Sequence, residues 1–505
     1  MKKESIFILL STAAYSYLFY EQMAGINFLL FNILLVALLA INKPALLKEK
    51  NWLAVVIGCL ISSFCIFWYG TWLPTLANIT SLLFLAGLSF APQASLLIAG
   101  INSLVTFPFA IPATLFRKSP EAENAPAGYS LGRWPVLITP VFLTVIFFFV
   151  YRTINPVFEN LTNRINLDFL NGYWLFFTTI GFVLMYAVFS YFPIKSLFAM
   201  DQKADDVLVP KAENPSASDI FGLSLQNQLL AGTITFVLLN VLLLFVNGGD
   251  IFYLWFAKTL PKGLTMAQYL HDGTDGLIFS IILAVLVILF VFRSHLNFIE
   301  NNKWLKVLAY GWVAQNIILV LTTAQRNWWT IESSGLTRRR IGVYVYLLLC
   351  IIGLLFTLIK VARRKSNTFL FRKNSWAFYA VFIASCPVNW DAAIVNFNYT
   401  NYKSNQFQYI DRSYQAELSE TSLLPLFKHY AQELQKPSAA HDIFNDVVVT
   451  TMYLNYQYLQ NEIKESGWQS YSYTKHLTCN EIKKMIDAGQ IPPPTQTKKE
   501  VTSGD

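Results

Sequence analysis

Long apolar runs, separated by short polar turns, repeat along the first 388 residues of the chain. A run of about 20 apolar residues can span a lipid bilayer, because each helical residue adds about 1.5 Å along the helix axis. The pattern predicts an all-α, polytopic transmembrane helix bundle of about eleven spans, plus or minus one. The predicted spans are roughly 5–20, 26–41, 51–69, 72–90, 134–152, 173–192, 228–246, 275–293, 304–323, 341–361 and 375–388.

One apolar segment, at roughly 92–115, has no single interpretation. It contains Pro92, Asn102, Pro108 and Pro112, and proline interrupts the hydrogen bonding of a helix. The segment is therefore expected to cross the membrane, to re-enter it, or to lie along its surface.

The pattern changes after residue 388. The two stretches AELSETSLLPLFKHYAQELQ and HDIFNDVVVTTMYLNYQYLQNEIKES have apolar residues at helical spacing between many polar ones. We predict a multi-span transmembrane domain at 1–388 and a small helical extramembrane domain at 389–490. Residues 491–505, which read IPPPTQTKKEVTSGD, have the composition of a disordered tail.

The loop after the run at 341–361 indicates the orientation of the chain. It is rich in basic residues with no acidic residue between them: Lys360, Arg363, Arg364, Lys365, Arg372 and Lys373. Cytoplasmic loops carry such an excess of Lys and Arg. An alternating topology in which 92–115 does not cross then places the N-terminus in the cytoplasm and the C-terminal domain in the periplasm. The expected location is the inner membrane of a bacterium, as a multi-pass protein.

Composition agrees with the membrane class. Hydrophobic residues make up 54% of the chain and charged residues only 13%, whereas an ordinary soluble domain has about 25% charged residues. The net charge of +8 follows from basic residues that flank helices, so no nucleic-acid partner is expected. The five cysteines form no CxxC pair, so neither a disulfide framework nor a zinc site is predicted.

A polar hairpin joins the two apolar runs between residues 315 and 360. It is the densest cluster of charge between apolar runs, and its charged residues are Arg326, Glu332, Arg338, Arg339 and Arg340. We expect Arg326 to extend from its helix end towards water, and Glu332 to pair with one of the three consecutive arginines. That pairing, which would fix the turn at 333–335, is the favoured interpretation.

Two other interpretations give the hairpin a ligand. A planar guanidinium matches the oxygens of a phosphate, so the arginines would bind an anionic lipid or a lipid-linked headgroup. Alternatively, they would line a path for a small anion. The topology places these arginines on the periplasmic side, where arginine is disfavoured, so something must hold them there.

A second polar group precedes the run at 275–293. His271 is followed by Asp272 and Asp275, and either Asp272 or Thr274 would serve more simply as a helix N-cap. Residues 250–275 are expected to form an interfacial helix that approaches the hairpin. The resulting candidate polar cluster consists of His271, Asp272, Asp275, Arg326, Glu332, Arg338 and Arg340.

The predicted spans contain few polar side chains. Asn32, Asn78, Asn240 and Asn316 are expected to form hydrogen bonds between helices. No predicted span has a centrally placed charged residue, although proton-coupled transporters and ion pumps usually need one. This pattern argues against a secondary transporter.

Several segments carry a resemblance to a known family. In chain order they are LFYEQMAGINFLLFNILL, HDGTDGLIFSIILAVLVILF, QRNWWTIESSGLTRRRIGVYVYLLL, PVNWDAAIVNFNYT and YIDRSYQAELSETSLLPL. Together they resemble the membrane proteins of domain of unknown function 4153/4173, especially Bacteroidetes-type members, and GLT-x-x-R and NWDA are the most specific elements. The resemblance implies an integral inner-membrane protein of bacteria with an unassigned role. It supplies no catalytic residues.

Two classes of function follow. The chain lacks a P-loop, a GxGxxG after a strand, HExxH and GxSxG, so no catalytic, cofactor-binding or metal-binding residue is predicted. We expect a non-catalytic envelope scaffold or sensor-like component, in contact with the bilayer and with an envelope protein. The alternative is binding or transport of a small anionic or lipid-linked substrate at the periplasmic hairpin.

Overall fold

A computed structural model describes most of the chain. The described ranges are 3–107, 172–190, 194–208, 225–257, 266–292, 295–299, 302–403, 410–435 and 446–492, with isolated residues between 144 and 158. Their regular elements are helices, with one isolated antiparallel bridge between Val207 and Lys365, and the predicted all-α class is confirmed. The chain forms two compact units: unit 1 contains Met1–Met200 and Glu465–Tyr473, and unit 2 contains Asp201–Lys464 and Thr474–Asp505.

Unit 1 contains six described helices, of which the first five follow one another through short turns. They are α1 (Lys3–Phe19), α2 (Ile26–Asn42), α3 (Lys50–Tyr69), α4 (Trp72–Phe90), α5 (Leu96–Thr106) and α6 (Gly172–Phe189). Helix α1 packs against α2 and α6, while α3 packs against both α2 and α4. Gly70 ends α3 with φ of 65°, a left-handed conformation that glycine adopts without steric cost.

Two asparagines join α2 to α4 inside unit 1. The amides of Asn32 and Asn78 exchange hydrogen bonds of 3.1 Å each, and both residues are fully buried. Asn78 also donates to the carbonyl of Cys59 and to the hydroxyl of Ser62, both on α3. The prediction that these asparagines bond between helices is confirmed.

Unit 2 begins within α7 (Lys195–Lys203) and continues with long helices. These are α8 (Leu225–Ile251), which continues as a π-helix at Phe252–Ala257, α9 (Met266–Val291), α10 (Lys303–Ser334), α11 (Arg338–Ala362) and α12 (Asn367–Ser385). Helix α10 is central, since it packs against α8, α9 and α11. Their shared core includes Phe236, Ile288, Phe292, Leu305, Val313 and Leu354.

The rest of unit 2 is a group of shorter helices with a core of its own. They are α13 (Trp390–Lys403), α14 (Arg412–Ala416), α15 (Leu423–Leu434), α16 (Asp446–Glu465) and α17 (Tyr473–Asp487). The core they enclose includes Ile394, Tyr399, Phe427, Met452, Leu459 and Ile482. The C-terminal part is thus helical, as predicted, while the domain boundaries after 388 and 490 stay predictions.

Six helices of the described residues are long and apolar enough to cross a membrane, namely α3, α4, α6, α8, α10 and α11. Helix α12 and Trp390–Tyr402 form a pair bent by 65°, which makes seven if the pair is one span. The chain therefore has the makeup of a membrane protein, and the count of about eleven is not confirmed. Most of 134–152, and residues 108–115 of the ambiguous segment, lie outside the described residues.

The region after the predicted span at 228–246 differs from expectation. Helix α8 does not end there but continues to Ile251 and then as the π-helix. Its next described neighbour α9 begins at Met266, and residues 258–265 lie outside the described residues, so the interfacial helix over 250–275 stays a prediction. Asp272 and Thr274 lie inside α9, so neither is its N-cap, and the prediction of a cap there is wrong.

Candidate functional site

The polar hairpin is the turn between α10 and α11. Helix α10 ends where the Gly335 N–H donates to the Ile331 carbonyl at 2.7 Å, and Gly335 has φ of 79°. The side chain of Asn398 accepts from the Leu336 N–H at 2.6 Å and donates to its carbonyl at 2.9 Å. A Cβ at Gly335 would lie only 3.1 Å from the Asn398 amide oxygen. Helix α13 therefore holds the turn in a conformation that favours glycine.

Arg326 lies on α10 and is buried, with 7% of its surface exposed. Its Nη2 forms an ion pair with Oδ1 of Asp250 on α8, and the Thr322 hydroxyl donates to the other carboxylate oxygen at 3.3 Å. The expectation that Arg326 extends towards water is therefore wrong. A buried guanidinium requires a close counter-charge, and Asp250 supplies it.

The Asp250–Arg326 pair ends a row of polar contacts between α8 and α10, which we call the α8–α10 seam. Asn240 donates to the Leu308 carbonyl at 3.0 Å and accepts from Gln315 at 2.8 Å. Two turns further along α8, Asn247 donates to the Gln315 carbonyl at 2.9 Å. The predicted interhelical role is thus confirmed for Asn240, whereas Asn316 donates to a carbonyl of its own helix.

Glu332 has a different partner from the one expected. Its carboxylate accepts a hydrogen bond of 2.6 Å from the indole of Trp328, one turn earlier on α10. The Trp328 ring in turn lies edge-on to Phe397 of α13. Among the described residues Glu332 forms no ion pair with the arginines of the hairpin, so the favoured pairing is wrong.

Arg338 instead pairs with Asp391, in the first turn of α13. Its Nε donates to Oδ1 at 2.6 Å and its Nη2 donates to Oδ2, a bidentate arrangement. Oδ2 of Asp391 also accepts from the backbone N–H of Ser419, at 3.2 Å, and from its hydroxyl. We call Arg338, Asp391 and Ser419 the Arg338 junction. It joins α11, α13 and the turn before α15.

Further hydrogen bonds surround the Arg338 junction. The Arg338 N–H donates to the Tyr414 hydroxyl at 2.9 Å. Asn389 accepts from the Thr421 hydroxyl at 3.0 Å and from the Ala392 N–H at 3.2 Å, which caps the start of α13. The segments GLTRRR, NWDA and YIDRSYQAELSETSLL, which are far apart in the sequence, thus meet at one place.

Arg340 closes the hairpin on itself. Its Nη1 donates to the Gly335 carbonyl, and its own carbonyl accepts from the Asn327 amide at 3.0 Å. The Thr337 hydroxyl accepts from the Arg340 N–H at 3.3 Å and so caps α11. These contacts stabilise the turn without help from a ligand.

The candidate cluster is therefore only partly assembled in the described residues. Arg326, Glu332, Arg338 and Arg340 share the hairpin, but each has its own partner there. The backbone of His271, Asp272 and Asp275 lies in α9, and their side chains lie outside the described residues. The approach of residues 250–275 to the hairpin, which would complete the cluster, thus stays a prediction.

The sequence did not indicate that three charged side chains are buried inside the long helices. Asp250, Arg326 and Lys360 all lie in membrane-capable helices, and all are buried. Lys360 donates to the carbonyl of Phe292, at the end of α9, at 2.8 Å. One sequence signal could have found Asp250, because it lies three residues after Asn247 and ten after Asn240, on the same helix face.

The basic run after α11 also has acidic partners. Arg372 contacts Asp206 at 2.7 Å and Asp201 at 3.2 Å. The backbone of the acidic segment also bonds to the basic run, since the Leu208 N–H donates to the Arg364 carbonyl at 3.0 Å. The segment around 201–208 is thereby fixed against the start of α12.

Comparison with known proteins gives one match. The family model described as Domain of unknown function (DUF4153) matches residues 6–429. The matched region contains the α8–α10 seam and the whole Arg338 junction, and it ends within α15, before α16 and α17. No curated protein and no solved structure matches the chain.

Proposed function

Because the chain belongs to the family described as Domain of unknown function (DUF4153), which carries no assigned activity, we propose a function from the hairpin geometry. The protein is a non-catalytic membrane scaffold or sensor-like component of the bacterial envelope. Its C-terminal helical domain is the part that meets an envelope protein. The observation that carries this proposal is the bidentate bond between Arg338 and Asp391.

The charges of the hairpin support a structural role for its arginines. Arg326 faces Asp250, Arg338 faces Asp391, and Arg340 faces a backbone carbonyl. A bidentate carboxylate occupies the same donors that a phosphate would need. Arg338 therefore attaches the membrane helices to the C-terminal domain, while Arg326 joins α8 to α10 and Arg340 stays within the hairpin. A ligand at Arg326 or Arg338 would have to displace a carboxylate of the same chain.

The proposed location is the bacterial inner membrane, with the N-terminus in the cytoplasm and the C-terminal domain in the periplasm. The basic residues after α11 support this orientation. Reporter fusions after Lys50 and Ser130 should be active in the cytoplasm, and fusions after Leu336 and Ser470 in the periplasm. If Lys50 and Ser470 report the same side, the orientation is wrong.

The scaffold proposal is tested in the full-length chain with Asp391→Asn. The matched control is Asp411→Asn, since Asp411 is exposed in the same domain and only caps α14. Proteins crosslinked to each tagged chain in native membranes are quantified, together with membrane insertion. We expect Asp391→Asn, like a chain that ends at residue 388, to lose partners but not insertion. A partner profile equal to wild type in both cases would refute the proposal.

A second candidate function rests on one observation, the burial of Asp250 and Arg326 in membrane-capable helices. Charged residues in such helices often mark the path of a substrate. In this alternative, Arg326 exchanges Asp250 for a small anion or for the headgroup of an anionic or lipid-linked molecule. Native mass spectrometry with phosphatidylglycerol distinguishes the two functions. The alternative requires Arg326→Ala to lose bound lipid and Asp250→Asn to gain it, whereas the scaffold requires no change in either.

A further inference from the structure

Residues 466–473, which we call the interface segment, connect α16 to α17 and belong to unit 1. Their sequence, SGWQSYSY, contains no charged side chain, although Glu465 and Lys475 flank it closely. Trp and Tyr are enriched where a membrane meets water, because their rings are apolar and their N–H or O–H groups are polar. The composition is that of a segment at the membrane surface.

The interface segment binds to the turn between α1 and α2. The Ile26 N–H donates to the Tyr471 carbonyl at 2.9 Å, and the Met23 N–H donates to the Ser470 hydroxyl at 2.8 Å. Gln22 accepts from the Ser470 hydroxyl at 2.9 Å and from the Gly467 N–H at 3.2 Å. Polar backbone groups of both partners are thereby satisfied, which is a requirement near the hydrocarbon of a bilayer.

The close approach depends on Gly25. A Cβ at this position would lie 2.4 Å from the backbone of Ser470 and 2.6 Å from the Tyr471 carbonyl oxygen. Such distances are impossible for a side chain, so only glycine fits. The contact is therefore built into the turn itself.

The aromatic rings of the interface segment lie beside those at the ends of α1 and α3. Tyr473 lies 4.6 Å from Trp68, and Trp468 lies 6.3 Å from Tyr17, between ring centroids. Trp468 is 54% exposed and Tyr17 is 63% exposed. Uncharged, exposed aromatic rings at the ends of long helices form the girdle that proteins place at lipid headgroups.

The neighbouring helices fix the level of this girdle. Helices α3 and α4 are both membrane-capable, and Gly70 lies in the turn between them. Trp72, the first residue of α4, is 60% exposed. The turn marks one membrane boundary, and the interface segment lies at the same end of α3.

We propose that the interface segment is a membrane anchor whose partner is the uncharged carbonyl and glycerol layer of a phospholipid bilayer. The α1–α2 turn holds its backbone, and Trp468 enters the lipid layer. The segment, the α1–α2 turn and the α3–α4 turn then share one side of the membrane. The connection between α16 and α17 is consequently held at the lipid surface.

The proposal is tested with a fluorescent label at Trp468→Cys in the full-length chain, in a Cys350→Ala, Cys479→Ala background. The chain is placed in phosphatidylcholine nanodiscs that carry a nitroxide either near the headgroup or deep in the acyl chain. The control label is at Lys483→Cys, an exposed position on α17. We expect the shallow nitroxide to quench the label at 468 roughly twofold or more over the control, and more than the deep nitroxide does.

The role of the α1–α2 turn is tested with Gln22→Ala, which removes the acceptor of two hydrogen bonds. The quenching at 468 should fall towards the control value, and Gln22→Glu, which keeps an acceptor oxygen, should restore it. Unchanged quenching in Gln22→Ala would overturn the assigned anchoring. Equal quenching of the labels at 468 and 483 would refute the proposal that the partner is lipid. So would a bound protein that shields the label at 468 from the lipid nitroxides.

Discussion

The Asp250–Arg326 pair allows a quantitative prediction for unit 2. The two side chains are 8% and 9% exposed, so neither charge is compensated by water. Removal of one partner from a buried ion pair costs about 3–5 kcal/mol, because the other charge stays buried without a counter-ion. We therefore expect Asp250→Asn and Arg326→Gln each to lower the free energy of unfolding by about 3–5 kcal/mol.

The double variant Asp250→Asn/Arg326→Gln completes a cycle that isolates the interaction energy between the two side chains from their other contacts. It leaves no unpaired charge at the site of the pair, so its loss should be well below the sum of the two single losses. The coupling energy is expected to be about 2 kcal/mol or more, as for other close charge pairs that are shielded from water.

The assay is reversible unfolding in mixed micelles with increasing sodium dodecyl sulfate, followed by tryptophan fluorescence and circular dichroism. Arg363→Gln is the control, because Arg363 is exposed and has no ion pair among the described residues. It should change the free energy of unfolding by less than about 0.5 kcal/mol. If the coupling energy between Asp250 and Arg326 is below about 0.5 kcal/mol, the reasoning about their burial is refuted.

Other contacts give further predictions. Arg338→Lys should speed hydrogen exchange around 389–422, because an ammonium cannot form the bidentate bond; unchanged exchange would argue against the Arg338 junction. A double-mutant cycle of Asn32→Ala and Asn78→Ala should give a coupling of about 1 kcal/mol, and additive losses would contradict it. Gly335→Ala should cost about 1–2 kcal/mol, because its φ of 79° strains any other residue. Burial raises the pKa of Tyr453 to about 12, so its contribution to stability is complete below about pH 10 and is lost as the pH rises towards 12. Absorbance at 295 nm, which reports tyrosine ionisation, should show a smaller high-pH step in Tyr453→Phe than in the wild type.

The long helices and the helical C-terminal domain were predictable from the spacing of apolar residues. The bonds of Asn32 and Asn78 were also predictable, since an amide in an apolar helix needs a partner. The bond from Trp328 to Glu332 spans four residues on one helix, so its spacing was visible in the sequence. The positive charges of the arginines, however, favour a different partner for Glu332 when only the sequence is considered.

The partners of Arg326 and Arg338 could not be deduced in the same way. Asp250 is 76 residues from Arg326, and Asp391 is 53 residues from Arg338, so no local pattern connects them. The predicted span at 228–246 also ended before Asp250, with Gly248 and Gly249 in between. Packing of α8 along α10 outweighs the low helix propensity of these glycines, and so it carries Asp250 into the helix.

The length of α10 has a mechanical consequence. Its 32 residues extend about 48 Å, whereas the hydrocarbon core is about 30 Å thick. With Lys303 at one membrane surface, about 18 Å of helix projects from the other as a stalk. The Asp250–Arg326 pair then lies near the base of this stalk, and the Arg338 junction lies beyond its tip. A tilt of about 10° at the base would move the tip by about 3 Å. A small change within the membrane would thus reach the C-terminal helices as a displacement about the size of a hydrogen bond.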